Sequence, residues 1–276
     1  MTSVTGADIR HALHSLGLSG HCLCVHSSLR SFGWVNGGAQ AAVDAILAEG
    51  CTPLVPTFTE FQVPPPPRRR PARNGYDYSG AAMKGNTSAV YSCDMMEVAE
   101  EDMGAISAAV LRMPQRIRGN HPLCSFAAVG PLAEELIAGQ VPLDVNAPLR
   151  ALAERDGFVV LMGVGLEAMT LLHLAEQRAG RILFRRWANG SEGQVVEVET
   201  GGCSDGFHSL ESLLSPLMRE ARVGDSRWRV FPAQGVLEVA SEAIRRDPAM
   251  THCGASPCRC DDAVLGGPVL GEQGME

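Results

Sequence analysis

The stretch Cys22-Leu23-Cys24-Val25-His26-Ser27-Ser28-Leu29-Arg30-Ser31-Phe32-Gly33-Trp34-Val35-Asn36-Gly37-Gly38 decides the fold of this chain. Its first four residues have the pattern of a short buried strand, and the serine- and glycine-rich run from His26 to Gly38 is a loop. Residues 39–48 have helical apolar spacing and stop at Gly50, and residues 52–57 form a second strand. Strand, loop, helix and strand in that order make a βαβ unit, which predicts a parallel sheet.

Outward from this unit, helices are expected over residues 8–18 behind a Thr5 cap, and over 103–112, 131–138, 147–155, 210–221 and 236–246. Strands are expected over 125–129, 158–162, 194–199 and 228–231. Between Phe58 and Asp102 regular structure is hard to find. Pro64-Pro65-Pro66-Pro67-Arg68-Arg69-Arg70-Pro71 enters neither a sheet nor a helix interior and reads as an exposed loop. The expected fold is α/β: a single elaborated domain over residues 1–276 with a central, mostly parallel sheet flanked by helices. It carries an insert loop at about 58–102 and a cysteine-rich tail at about 251–276.

The apolar run from Phe158 ends in Gly163-Val164-Gly165, and Thr170-Leu171-Leu172-His173-Leu174-Ala175-Glu176 follows as a helix. At 100° per residue, Thr170, His173 and Glu176 share one face, while Leu171 and Ala175 point away. A hydroxyl, an imidazole and a carboxylate therefore meet just past a strand end, where open α/β sheets build their sites. The same spacing also suits an ordinary amphipathic helix with its polar face in water.

The net charge of −8 lacks the basic footprint that nucleic-acid binding needs, and it suits a cationic small molecule. The longest apolar run, residues 157–166, is far short of the roughly 20 residues that span a bilayer. Asp8, Arg10, His11 and His14 interrupt any signal-peptide core near the start. Nine cysteines, an odd number without secretory spacing, fit a reducing cytoplasm. A cytoplasmic protein that binds neither membrane nor nucleic acid is expected.

The loop after the first strand offers backbone amides at a helix entrance, the hydroxyls of Ser27, Ser28 and Ser31, the Arg30 guanidinium and the Trp34 plane. Amides and charged donors of this kind bind phosphate. The loop is neither a dinucleotide-binding glycine fingerprint nor a P-loop, and a polar turn with a helix cap is the competing reading.

Taken together, five segments resemble the antibiotic N-acetyltransferase family, the aminoglycoside 3-N-acetyltransferases. They are His26-Ser27-Ser28-Leu29-Arg30-Ser31, Asp102-Met103-Gly104-Ala105-Ile106, His121-Pro122, Ala128-Val129-Gly130, and Val164-Gly165 leading into Thr170–Glu176. They occur in the family's order and span about Leu18 to Arg181. Two departures stand out: Arg118-Gly119 replaces the family's frequent Arg-Ser before His-Pro, and Ser107 replaces a frequent Glu.

The resemblance implies a fold unlike the GNAT acetyltransferases, and acetyl coenzyme A as cosubstrate. It implies transfer to the 3-amino group of an aminoglycoside, a polycationic small molecule, with antibiotic resistance as the result. It assigns His173 as the base, a role that suits an imidazole near neutral pH. Glu176 would orient His173 or bind a cationic amine, and Thr170 would donate to the developing oxyanion or to the leaving thiolate. His26, Ser27, Ser28, Leu29, Arg30, Ser31, Gly33, Trp34 and Val35 would form the coenzyme side, with His26 contacting ligand or serving structure rather than acting as the base. Asp77, Tyr76, Glu101, Asp102 and His121 are the candidates for the acceptor side, with Tyr78 beside them.

Two other readings stay open at this point. One is a member of the same family that acetylates a different amine. The other is a zinc-binding structural or regulatory protein. Cys203, Cys253, Cys258 and Cys260, with His252 beside them, are soft-metal ligand types, although no regular Cys-x2-Cys pair is present. No metal is expected in catalysis, and a bound zinc would brace the tail.

Overall fold

The computed structural model describes residues 3–66, 68–71, 73–76, 88–256 and 258–263. The first part of the chain forms β1 (Ser3–Val4), α1 (Gly6–Ser15), β2 (Cys22–Ser27), β3 (Trp34–Val35), α2 (Gly38–Ala48), β4 (Thr52–Pro56) and β5 (Gln62–Val63). Next come α3 (Glu100–Leu111), β6 (Ile117–Arg118), β7 (Phe126–Ala128), α4 (Ala133–Ile137), α5 (Ala147–Glu154) and β8 (Phe158–Met162). The last part forms α6 (Leu171–Arg178), β9 (Phe184–Asn189), β10 (Val195–Thr200), α7 (Glu211–Leu214), β11 (Arg219–Val223), β12 (Ser226–Pro232) and α8 (Ala233–Arg246).

A seven-stranded sheet in the order β11-β12-β8-β2-β4-β7-β6 forms the centre. The β2–α2–β4 unit is present as expected, and β2 pairs in parallel with both β4 and β8. The outer pairings, β12 with β8, β11 with β12, β4 with β7 and β6 with β7, are antiparallel. Parallel pairing thus holds at the centre, and the flanking strands add antiparallel pairs. The β11–β12 hairpin turns in two residues, and a connection that short forces antiparallel pairing.

Strand parity sorts the core into two layers. Leu23, Val25, Val160 and Met162 face α1, α2 and α3, whereas Cys22, Cys24, Val159 and Leu161 face α4, α5, α6 and α8. Alternate residues of a strand point to opposite faces, so a strand buried on both sides reads as the unbroken apolar run seen in the sequence. His26 continues the Cys22–Cys24 series, which directs its ring toward the face that α6 covers.

Local signals account for most element ends. Thr5 caps α1 through a reciprocal pair: its Oγ1 accepts from Asp8 N at 3.3 Å, and its own N donates to Asp8 Oδ2 at 2.8 Å. The helix ends at Ser15, short of the expected residue 18, because Gly17 takes a left-handed φ of 68°. The expected helix over 210–221 is corrected. Only Glu211–Leu214 is α-helical, Ser215–Leu217 is a tighter turn that holds Pro216, and Arg219–Val223 is pulled into the sheet edge against β12. A strand that alternation did not reveal, β9, pairs with β10 and β5 in a separate antiparallel sheet. Its Arg185 lies 3.4 Å from Glu197 and 2.8 Å from Glu199 across the hairpin. No helix among the described residues is long and apolar enough to cross a membrane.

Candidate active site

Because β2 and β8 run parallel side by side, both deliver their C-terminal ends to one edge of the sheet. Beyond β8 the chain turns and enters α6, with Thr170 at the helix cap. Thr170 Oγ1 lies 3.4 Å from His26 Nε2, and Cys24 Sγ lies 3.5 Å from the same nitrogen. Burial depresses the His26 pKa to about 4, so this imidazole is neutral at neutral pH. His26 therefore joins the end of β2 to the start of α6 and is 5 % exposed.

His173 stands one turn into α6, with Nδ1 2.9 Å from Glu176 Oε2. Its ring packs against Phe207, with centroids 4.9 Å apart, and against Gly201. A Cβ at Gly201 would lie 2.5 Å from His173 Cδ2, so this position has room only for hydrogen. The second Glu176 oxygen, Oε1, accepts from Thr251 Oγ1 at 2.6 Å and pairs with Arg181, which also donates to Pro248 O. Burial pushes the Glu176 carboxyl up. The hydrogen bond and charge of His173, the Thr251 hydroxyl and the Arg181 charge outweigh it and hold the group below its ordinary value. An ionised Glu176 makes Nδ1 the proton-bearing nitrogen, and Nε2 has no protein partner among the described residues. A base on this ring acts through Nε2.

The loop after β2 divides its candidates between structure and surface. Ser28 N donates to Met162 O at 3.0 Å, and Leu29–Phe32 is a single tight turn. Ser31 Oγ lies 2.7 Å from Ser28 O and 2.8 Å from Ser226 Oγ, so its hydroxyl braces the turn rather than facing a ligand. Gly163, with φ of 72°, lets this turn approach: a Cβ there would meet Ser31 Oγ at 2.0 Å. Val35 is a correction, because its side chain is buried in the core and only its backbone remains on the loop. Ser27 and Ser28 are half-buried, Leu29 packs on the core, and Arg30 is exposed. Gly33, with φ of 82°, turns the chain so that Trp34 stands 66 % exposed.

Gly201 also lines a cavity of about 460 Å³. Phe58, Glu60, Phe184, Arg186, Thr200 and Gly202 are among its walls. Tyr76 lies beside it, its ring 5.3 Å from the Arg186 guanidinium. Asp77 and Tyr78 lie outside the described residues, as do the side chains of Glu101 and Asp102, whose backbone begins α3. His121 is a correction. It is wholly buried; Nε2 bonds Glu199 O at 2.8 Å, and Nδ1 accepts from Cys124 N at 2.9 Å. Burial lowers its pKa to about 4 against the backbone bonds that raise it, and both nitrogens are occupied by main chain. It stitches the segment after β6 to the end of β10 and leaves no exposed surface for an acceptor.

Sequence reasoning missed Arg181, Thr251, Gly201, Phe207 and Glu60. Arg181 follows Gly180 at the end of α6 and had a local signal; Thr251 lies 75 positions from Glu176 and had none. The Gly119 departure has a steric cause: Gln140 Oε1 would lie 1.9 Å from a Cβ at that position. Cys203, Cys253 and Cys258 gather with their sulfurs within 4.8 Å of one another, and Cys260 Sγ is 3.8 Å from Cys253 Sγ.

The chain is similar to known proteins over most of its length. The family model described as aminoglycoside 3-N-acetyltransferase matches residues 24–245. Aminoglycoside N(3)-acetyltransferase IV of Salmonella sp. is 30 % identical over 257 residues, covering 88 % of each chain. Aminoglycoside N(3)-acetyltransferase IX of Micromonospora chalcea is 36 % identical over 184 residues, 64 % of this chain and 63 % of that one. The crystal structure of the aminoglycoside acetyltransferase AAC(3)-IVa superposes with a TM-score of 0.74 at 26 % identity, covering 96 % of this chain and 98 % of its own. A variant of that enzyme has been solved in complex with a gentamicin.

Proposed function

Because this chain belongs to the aminoglycoside 3-N-acetyltransferase family, we propose that it transfers an acetyl group from acetyl coenzyme A to the 3-amino group of an aminoglycoside, in the cytoplasm, and so confers resistance. The observation that carries this reading is the His173–Glu176 pair at 2.9 Å, with Nε2 unpartnered among the described residues.

The loop fits the coenzyme. Arg30 supplies an exposed cation for a pyrophosphate, and the exposed Trp34 indole supplies an apolar plane for the pantetheine arm or the base. Bound there, acetyl coenzyme A supplies an activated acetyl thioester. His173 Nε2 accepts the proton that the amine loses as its nitrogen attacks. Glu176 holds the ring in that tautomer and stabilises the imidazolium once it forms. As the tetrahedral carbon collapses, its carbon–sulfur bond breaks and the imidazolium proton passes to the departing thiolate, giving the amide and free coenzyme A. Thr170 Oγ1, at the start of α6, supplies a donor for the carbonyl oxygen as it gains charge. Glu60 offers the cavity a carboxylate for a polycationic acceptor.

The test is an acetylation assay on a panel of aminoglycosides and simple amines, with the product located by NMR. A single acetyl on the 3-amino group of at least one aminoglycoside is the expected result. Acetylation confined to simple amines contradicts the assigned substrate, and no acetylation of any amine contradicts the reaction.

A further inference from the structure

Four thiols from three chain segments converge beside the His173–Glu176 pair. Cys203 follows β10, Cys253 follows α8, and Cys258 and Cys260 stand in the closing turn. All four are unbridged, and three of their sulfurs lie within 4.8 Å of one another. The fourth, Cys260 Sγ, is 3.8 Å from Cys253 Sγ. A tetrahedron with zinc–sulfur bonds of roughly 2.3 Å has sulfur–sulfur edges of about 3.8 Å. The separation of 3.8 Å is also far longer than the roughly 2.05 Å of a disulfide. A four-iron, four-sulfur cluster, with one thiolate on each iron, would hold three sulfurs farther apart than the 4.8 Å seen here.

We propose that Cys203, Cys253, Cys258 and Cys260 bind one Zn²⁺ as a closed, four-thiolate structural site. Each thiol gives up its proton on binding, so one zinc replaces four protons. Four protein ligands leave no open position for water or substrate, so the metal does no chemistry.

Its role follows from what it joins. Gly201, two residues before Cys203, packs on the His173 ring, and Thr251, two residues before Cys253, bonds Glu176. Among the described residues of 247–263 there is no strand and no α-helix, only turns such as 248–251 and Cys260–Ala263. A segment so poor in regular hydrogen bonds needs another tie to hold its place. The zinc ties the Gly201 wall and the Thr251 segment together around the catalytic pair. Cys203, Cys258 and Cys260 also line the cavity, so the same tie shapes the acceptor side.

The experiment is metal analysis of the full chain, purified without chelator from zinc-supplemented cells. A single zinc per chain is expected, lost in Cys258→Ser/Cys260→Ser and retained in Cys93→Ser. The cobalt-substituted wild type should show the visible absorption of tetrahedral thiolate coordination, and this spectrum decides alone if the double variant does not fold. Chelation should lower the Tm by several degrees. Metal-free wild type with four titratable thiols overturns the proposal, and so does a Cys253–Cys260 disulfide or full zinc content in the folded double variant. These readouts do not depend on acetyl transfer, so failure here leaves the proposed reaction standing.

Discussion

Glu176 meets His173 through Oε2 and Arg181 through Oε1, so one buried carboxylate fixes both the His173 ring and a buried cation. The Thr251 hydroxyl on Oε1 leaves the carboxylate little freedom to rotate. Orientation of the His173 ring therefore depends on Thr251, 75 positions beyond Glu176, as well as on α6.

Glu176→Gln should act on stability and rate together. It removes the charge opposite buried Arg181, and breaking a buried pair in this way costs about 3–5 kcal/mol. It also frees the His173 tautomer, which should lower kcat by about 10²-fold or more. Urea denaturation and steady-state kinetics check both, and a variant as stable and as fast as the parent contradicts the role given to this carboxylate.

Gly201→Ala tests the contact on the ring. Its Cβ would stand 2.5–2.8 Å from three ring atoms of His173, so the ring must move. A displacement of this order at a catalytic group costs up to about 10²-fold in rate. The drop should appear in kcat, with coenzyme affinity by calorimetry unchanged. Wild-type kcat in this variant means that the ring is not held there.

The central βαβ unit was legible because a doubly buried strand reads as an unbroken apolar run and Gly50 marks the helix stop. The His173–Glu176 contact was legible because a spacing of three residues survives translation into a helix. Thr251 was not, since nothing local links it to Glu176. His121 misled for a related reason: a motif histidine looks the same in sequence whether it faces a ligand or, as here, two main-chain partners. β9 was hidden because Arg185 and Arg186 break its apolar alternation, and the counter-charges of Arg185 lie on β10. The helix expected over 210–221 failed because pairing with β12 overrides local propensity. All four thiols were visible in the sequence as soft-metal ligand types, and the fold brings Cys203 to the three in the tail.

Acid should weaken the fold before it protonates most carboxylates. His26 and His121 are both lowered by burial from 6.5 to about 4. Below pH 6.5 the unfolded chain binds protons that the folded chain refuses, so the stability they contribute is complete above 6.5 and is lost progressively down to about 4. Each contributes on the order of 3 kcal/mol over that range. Glu199, raised by burial, opposes this only in the carboxylate range. Urea midpoints should fall between about pH 7 and about pH 5, and a flat profile there contradicts the neutral burial of both rings.

Ser28→Ala/Arg30→Ala should weaken coenzyme A binding severalfold or more, because hydrogen bonds to charged groups carry about 1.5–3 kcal/mol each. The KM for aminoglycoside should change less. Calorimetry measures the first and steady-state kinetics the second; unchanged coenzyme affinity would place the pyrophosphate elsewhere.

The most direct test of the account is turnover of His173→Ala with saturating acetyl coenzyme A and an aminoglycoside that the wild type acetylates. Loss of the base should lower kcat by about 10²–10⁴-fold while coenzyme binding by calorimetry stays near that of the parent. Wild-type-like turnover in His173→Ala would contradict the assignment of His173 as the group that takes the proton from the amine.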